Sequence, residues 1–336
     1  MTEMQKLLPE IPAHAADLLS DLLDGMHLSG TVMFLAEFHE PWSVDTPRCD
    51  QIARMLPFRT EHIIPFHIVS SGGCWLDLPQ GPPVWLDEGD AIVLPYGHTH
   101  RMRGRDAANT VAVGELLPRP PWDDIPLVAH GGGGTVTRIV CGFLQCDELL
   151  FHPVLQSLPS LLHASPGTTA ADRWLATTIQ HTAAEAGSRT PGSRTMLPRL
   201  TELMFIEILR NHMQALSADE VGWFAACNDG LVGVALKSLH QAPLEDWSLD
   251  SLARRVGSSR TVLTERFKHL LGVPPIQYLM RWRLQLAAQK LKTGELPVKA
   301  VADEIGYESE AAFSRAFKRQ FGVSPGEWRK RQHARH

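Results

Sequence analysis

Within its 336 residues the sequence has no run of about 18 apolar residues, so no membrane-spanning helix is expected. Met1 to Glu10 lack a basic segment followed by an apolar one, so no secretory leader is expected either. Cysteine is scarce: five residues, an odd number scattered along a long chain, do not suit a disulfide framework and point to a reducing cytoplasm. Gly131 to Gly134 are not followed by the Lys and Ser or Thr of a phosphate-binding loop, and no Ser, His and Asp grouping stands out. What is present is ordinary in bulk. An apolar share of 44% and a charged share of 21% fit a globular protein, and the length suits two or three domains.

The net charge of −5 conceals an asymmetry. Residues 229–336 carry 18 Lys and Arg against 11 Asp and Glu, an excess of +7, while the other 228 residues carry 14 against 26, or −12. A basic C-terminal segment on an acidic body is the expected form of a nucleic-acid-binding module joined to something else.

Four regions follow from the patterning. Residues 1–28 hold an apolar helical pattern at Ala16, Leu18, Leu19, Leu22 and Leu23. Residues 29–146 carry short strand-like runs, among them Phe66 to Val69, Cys74 to Leu78 and Ala91 to Leu94, broken by turns such as Ser71-Gly-Gly. That spacing predicts an all-β sandwich or barrel, with Gly131 to Gly134 as a flexible linker. Residues 147–228 turn helical, with apolar positions around Trp174 to Ile179 and Leu200 to Leu209, and form a candidate dimerisation region. Residues 229–332 are helical throughout, interrupted by short Gly and Pro stops.

This last region repeats itself at an offset of about fifty residues. Leu249, Leu252, Ala253 and Val256 make one apolar helix face, Ser248 is a natural N-cap, and Gly257 ends the helix. Ser259 caps a second helix whose buried stripe is Leu263, Phe267 and Leu270. In the second copy Val298, Val301, Ala302 and Ile305 repeat the face, Gly306 the stop, Ser309 the cap, and Phe313, Phe317 and Phe321 the stripe. Helix, tight glycine turn, helix is the unit that lays its second helix in a DNA major groove. The outward stripes are polar: Arg260, Thr261, Thr264, Glu265 and Lys268 in the first copy, Glu310, Ala311, Ser314, Arg315 and Lys318 in the second. Small polar residues read base edges and Lys or Arg hold phosphates. Ile276 to Lys292 is one helical pattern of roughly 25 Å, long enough to set the two second helices in consecutive grooves.

The stretch from Trp247-Ser-Leu-Asp-Ser-Leu-Ala to Phe321-Gly-Val-Ser-Pro, with Gly306-Tyr-Glu-Ser and Phe313-Ser-Arg-Ala-Phe-Lys-Arg between, strongly resembles the AraC/XylS family of bacterial regulators. The resemblance implies that Ser259, Arg260, Thr261, Thr264, Glu265 and Lys268 serve the first groove. It places Ser309, Glu310, Ala312, Ser314, Arg315 and Lys318 at the second. It further implies activation of transcription, contact with RNA polymerase, a homodimer, and double-stranded DNA as partner. Glu265 departs from the Trp, Gln or Arg that other members place at exposed positions, and it favours a cytosine amino group.

Gly89, five residues, Pro95-Tyr-Gly97, two residues and His100 resemble the second motif of the cupin family. The first motif is reduced to His67, so the resemblance is to regulators with a cupin-like N-terminal barrel. His67 and His100 would face each other there, with Cys141 or Cys146 nearby, a donor set suited to Zn²⁺ or another divalent metal. The same residues are equally readable as hydrogen-bonded core histidines and small buried thiols. Oxidation of Cys74, Cys141 or Cys146 is a second sensing route. His98 is expected on a surface loop.

The expected architecture is multidomain: a cupin-like β-barrel, a helical dimerisation region, and an all-α double helix-turn-helix. The expected function is a DNA-binding regulator, not an enzyme, controlled by a small effector, a metal or thiol oxidation. Two alternatives stand beside it. One is a cupin-type metal enzyme fused to a DNA-binding module, which the missing first-motif residues oppose. The other is a constitutive DNA-binding dimer.

Overall fold

The computed structural model describes residues 18–20, 23, 28–55, 62–106, 108–119, 121–146, 157–167, 170–188, 190–217, 219–294 and 296–333. The chain forms two compact units; among the described residues the second holds those from 216 onward together with 18–20, 23 and 157. Among the described residues, the first unit holds those from 28 to 146 and from 158 to 215. Of the N-terminal helical pattern, Ala16 and Leu22 lie outside the described residues, while Leu18 and Leu19 are buried.

The first unit is β-rich. Its strands are β1 (Ser29–His39), β2 (Ser43–Thr46), β3 (His62–Ser71), β4 (Gly73–Asp77), β5 (Val84–Asp87), β6 (Ala91–Val93), β7 (His100–Arg103), β8 (Val111–Ala112), β9 (Leu127–Gly131), β10 (Val136–Cys146) and β11 (Leu162–Ala164). They make a six-stranded sheet in the order β11-β6-β3-β10-β1-β9 and a five-stranded sheet in the order β5-β4-β7-β2-β8. The expected barrel is thus two sheets, neither closed on itself, with the core between them. Phe34, Ala36, Phe38, Val69 and Ile139 enter it from the first sheet, and Val44, Cys74, Leu76, Leu86 and Met102 from the second. Strand β1 shows how the sequence sets this up. Val32, Phe34, Ala36 and Phe38 alternate with half-exposed residues, so one face is buried at period two.

Two short helices, α1 (Cys49–Met55) and α2 (Val113–Leu116), join strands. A helical hairpin, α3 (Ala170–Gly187) and α4 (Ser193–Ala215), packs on the six-stranded sheet at β1. Gly30 makes the close approach possible, since a Cβ there would fall 1.7 Å from the Thr201 hydroxyl oxygen. Thr201 is fully buried, and its hydroxyl donates to the Leu197 carbonyl at 2.9 Å. The expected boundary at 146 is therefore not a domain boundary, because this hairpin belongs with the sheets.

Gly131 to Gly134 correct another expectation. The segment is a fastened turn: the Gly132 N–H donates to the His39 carbonyl at 3.0 Å and the Gly134 N–H to the Glu40 carbonyl at 2.8 Å. Gly131 has φ of 125°, and a Cβ there would fall 1.8 Å from the His39 oxygen. Glycine is required for contact here, not for freedom.

The second unit is helical: α5 (Trp223–Asn228), α6 (Val232–Gln241), α7 (Leu249–Arg255), α8 (Arg260–Leu271), α9 (Pro275–Thr293), α10 (Val298–Glu304), α11 (Glu310–Phe321) and α12 (Pro325–His333). It begins before residue 229, where the sequence suggested a start. The Gly222 N–H donates to the Leu270 carbonyl at 2.8 Å, and the Trp223 ring N–H donates to the Tyr278 hydroxyl at 3.1 Å. Among the described residues no helix is long and apolar enough to cross a membrane.

Candidate nucleic-acid interface

The first helix pair is built by its caps. The Ser248 side chain accepts from the Ser251 N–H at 3.0 Å while the Ser251 hydroxyl accepts from the Ser248 N–H at 2.9 Å, so α7 starts with a reciprocal capping box. Gly257, at φ 67°, ends that helix, and Ser259 restarts the chain by accepting from the Val262 N–H at 3.2 Å. The second pair repeats these devices. Gly306 turns at φ 84°, and Ser309 accepts from the Ala312 N–H at 3.2 Å. Both second helices end on left-handed glycines, Gly272 and Gly322.

Burial divides each second helix as its periodicity requires. Leu263, Phe267 and Leu270 of α8 are buried, as are Phe313, Ala316 and Phe317 of α11, while Phe321 is half-buried. The polar stripes stay at the surface. Ser259, Arg260, Thr261, Glu265 and Lys268 are exposed and Thr264 is half-exposed. Ser309, Glu310, Ala311, Arg315 and Lys318 are exposed, with Ala312 and Ser314 half-exposed. Arg260 lies 3.3 Å from Asp250, but both are well exposed, so that pair holds Arg260 weakly and leaves it free to exchange partners.

Helix α9 joins the pairs. Its N-terminal half places Tyr278, Leu279 and Trp282 in the core of the first, where Tyr278 meets the Phe267 ring at 5.6 Å between centroids. Its C-terminal half places Leu284, Ala287, Ala288 and Leu291 in a cluster with Val301, Ala302, Ile305, Phe313 and Phe317 of the second. The sequence reading missed Arg283, which works at the junction. Its guanidinium donates to the Pro243 carbonyl at 2.6 Å and the Glu245 carbonyl at 2.7 Å, before α7, and lies 3.6 Å from where a Cβ on Gly306 would stand. One charged group thus touches the approach to the first pair and the turn of the second.

In the β-rich unit the structure brings together His67, His100 and Cys141. His67 Nδ1 is 3.1 Å from Cys141 Sγ, and His67 Nε2 is 2.9 Å from His100 Nε2. His100 Nδ1 is 3.1 Å from the His98 carbonyl oxygen. A carbonyl only accepts, so His100 carries its proton on Nδ1 and accepts at Nε2. His67 then donates from Nε2 and accepts at Nδ1, which leaves the Cys141 thiol as donor. The chain of donors has one direction and keeps both rings neutral.

This geometry does not fit the expected metal set. Cys141 and His100 meet opposite nitrogens of the His67 ring, so the three cannot converge on one ion. Among the described residues no group of three or more His, Cys, Asp and Glu is placed to hold a metal. The side chain of Cys146 lies outside the described residues. The thiols are equally ill-placed as thiolates. Burial, with Asp90 adding to it, pushes Cys74 up to about 12, and burial holds Cys141 well above its ordinary value. His98 is half-buried and stacks on Tyr96, 5.5 Å between centroids.

An apolar cavity of about 60 Å³ adjoins this relay, lined by Phe34, Ile52, Ile63, Phe143, Cys49 and His67 among others. Burial, with Asp50 adding to it, also raises the Cys49 thiol to about 12, so it too is uncharged.

The family described as Cupin matches residues 17–214, and the family described as Helix-turn-helix domain matches residues 252–331. A putative AraC-like transcription regulator of Streptomyces lividans is 32% identical over 279 residues, covering 81% of this chain and 88% of its own length. The HTH-type transcriptional regulator AlkR of Acinetobacter baylyi is 28% identical over 318 residues, covering 93% of this chain and 99% of its own. A solved regulator from Chromobacterium violaceum with an AraC-type DNA-binding domain is 32% identical, covering 31% of this chain and 91% of that one, with a TM-score of 0.29.

Neutral buried histidines make stability depend on pH. Burial depresses His67 well below its ordinary value, with His100 adding to this; burial also takes His100 to about 4 and His240, in the second unit, to about 3. Between about pH 6.5 and pH 4 the unfolded chain binds protons at these rings and the folded chain does not. Stability present above pH 6.5 is therefore lost as the pH falls, by about 1.4 kcal/mol per pH unit for each ring. Urea midpoints of the full chain at pH 7.5, 6 and 5 should fall in that order. His100→Asn should flatten the decline, and an unchanged slope in that variant contradicts the assignment.

Proposed function

The chain belongs to the AraC-like family of DNA-binding transcription regulators, and from that premise we propose how its residues divide the work. Helix α8 enters one major groove with Ser259, Arg260, Thr261, Thr264, Glu265 and Lys268, and α11 enters the next with Ser309, Glu310, Ala312, Ser314, Arg315 and Lys318. The observation that carries this reading is the repeat: two serine-capped helices with exposed polar stripes, packed on opposite halves of one helix. The 19 residues of α9 extend about 28 Å, which suits grooves about 34 Å apart. Thr261 and Glu265 of α8, with Arg315 of α11, address base edges, and Lys268 and Lys318 address phosphates.

Three further parts complete the proposal. The protein acts as a homodimer, paired through α3 and α4, where Trp174, Met196 and Leu203 are 53%, 50% and 45% exposed. Met196 and Leu203 are seven residues apart, hence two turns along one face of α4. The β-rich unit takes a small uncharged effector in the apolar cavity beside His67. The relay uses both nitrogens of His67 and the Cys141 proton, and among the described residues the cavity lining holds no charged side chain, so a charge there would find no counter-charge. The bound dimer activates transcription through RNA polymerase. We assign the cupin unit a sensing role and no catalytic one, since His67 is engaged with both His100 and Cys141.

Arg315→Ala should weaken binding of a selected DNA duplex by about 1–3 kcal/mol and relax preference at one position. Lys318→Ala should weaken all duplexes evenly and lower the slope of log affinity against log salt by about one. Wild-type affinity in both variants removes α11 from the groove. Leu203→Glu should shift sedimentation of the full chain from dimer to monomer with an unaltered circular dichroism spectrum; a persisting dimer places the interface elsewhere. For the effector, DNA affinity is measured with small uncharged apolar compounds and with their carboxylate counterparts. A response to the uncharged set alone is expected, and a response to the carboxylates alone overturns the cavity assignment.

A further inference from the structure

The polar stripe of α8 leaves one exposed apolar side chain without a role. Val262, a β-branched apolar residue, is 52% exposed on a helix whose other outward positions are polar. Its place is well defined. The Val262 N–H is the one held by the capping Ser259, and in the second copy the Ala312 N–H is held the same way by Ser309, at the same 3.2 Å. The two residues are therefore equivalent, the third of each second helix. At 100° per residue, Val262 lies roughly 70° from the axis opposite Leu263, Phe267 and Leu270, and Thr264 lies roughly 90° from it on the other side. Val262 is as outward as a residue already assigned to the groove. Arg266, further round on that flank, is drawn off to Asp229 at 2.8 Å and does not cover it.

In the major groove the apolar feature on offer is the C5-methyl group of thymine. Resting on the DNA-binding reading above, we propose that Val262 is a specificity-determining residue that packs its isopropyl group against a thymine methyl in the groove entered by α8. Glu265, one turn further along the same flank, takes the amino group of a cytosine close by, because residues three apart are neighbours on a helix surface. Ala312 presents one methyl and is half-buried, so the second groove receives a weaker version of the same contact.

The test uses the full chain and a duplex enriched from a random DNA pool. Each thymine of the enriched site is replaced singly by deoxyuridine, which removes only the C5-methyl. For wild type, one replacement should lower affinity by about fourfold, the factor for exposing one buried methyl. For Val262→Ala the same replacement should have no effect. Val262→Thr, which keeps the shape and one methyl, should show an intermediate loss. Both variants should keep the wild-type thermal midpoint, since the side chain is exposed. Retained thymine dependence in Val262→Ala overturns the proposal, as does a wild-type protein indifferent to every replacement. A pool that enriches no duplex overturns the DNA-binding reading itself, an outcome readily told apart from the other two.

Discussion

Helix α9 is shared between two hydrophobic cores, and that sharing governs the second unit. A free linker between two small helix pairs would leave each with a core too small to stand well alone. Here Tyr278, Leu279 and Trp282 are buried in one pair, and Leu284, Ala287, Ala288 and Leu291 in the other. Neither pair turns against α9 without losing its own core. Arg283 adds a directional constraint to this apolar one, since its carbonyl partners at 243 and 245 precede α7 while its other edge faces Gly306. The spacing and orientation of α8 and α11 are thus set by packing, and no DNA is needed to set them.

A different constraint rules the β-rich unit. Three buried polar side chains there are consumed in one relay: Cys141 donates to His67, His67 to His100, and His100 to the His98 carbonyl. Such a chain is worth having only when complete, because a buried group left unpaired costs about 1–3 kcal/mol. Completeness also forbids the convergence a metal needs. The residues that look like a degraded metal set are better understood as a satisfied polar thread through an apolar core. What remains accessible beside it is a cavity whose responses are to shape and apolar surface.

Most of the second unit was legible in the sequence because its signals are local. Ser248, Ser259, Ser309, Gly257 and Gly306 act within one helical turn of where they stand, and all sit where the pattern placed them. The β-rich unit was legible in its strands but not in its closure, since whether two sheets join depends on pairings between residues far apart in the chain. Gly131 to Gly134 looked like a linker because four glycines carry no pattern, and only the His39 and Glu40 carbonyls beside them reveal a fastened turn. Arg283 was invisible for a similar reason. Its partners are backbone carbonyls, which no sequence displays. Val262 pairs with Ala312 at the fifty-residue offset, but an apolar side chain reads as core in a sequence, and only its 52% exposure marks it as outward.

The repeat also shows what differs between its copies. Ser259 and Ser309, Gly272 and Gly322, Phe267 and Phe317, Lys268 and Lys318 stand at matching places with matching chemistry. These are caps, stops, core residues and the proposed phosphate contacts, the parts that hold a helix in any groove. Thr264 and Ser314 keep a hydroxyl. The outward positions between them diverge: Thr261 faces Ala311, Val262 faces Ala312, and Glu265 faces Arg315. The last pair reverses charge, and an acidic side chain accepts from cytosine where an arginine donates to guanine. On the proposed reading two helices that share a frame therefore cannot prefer the same bases. The DNA under one protomer has to be asymmetric, with a direction, and any twofold symmetry in a full site comes from the second protomer.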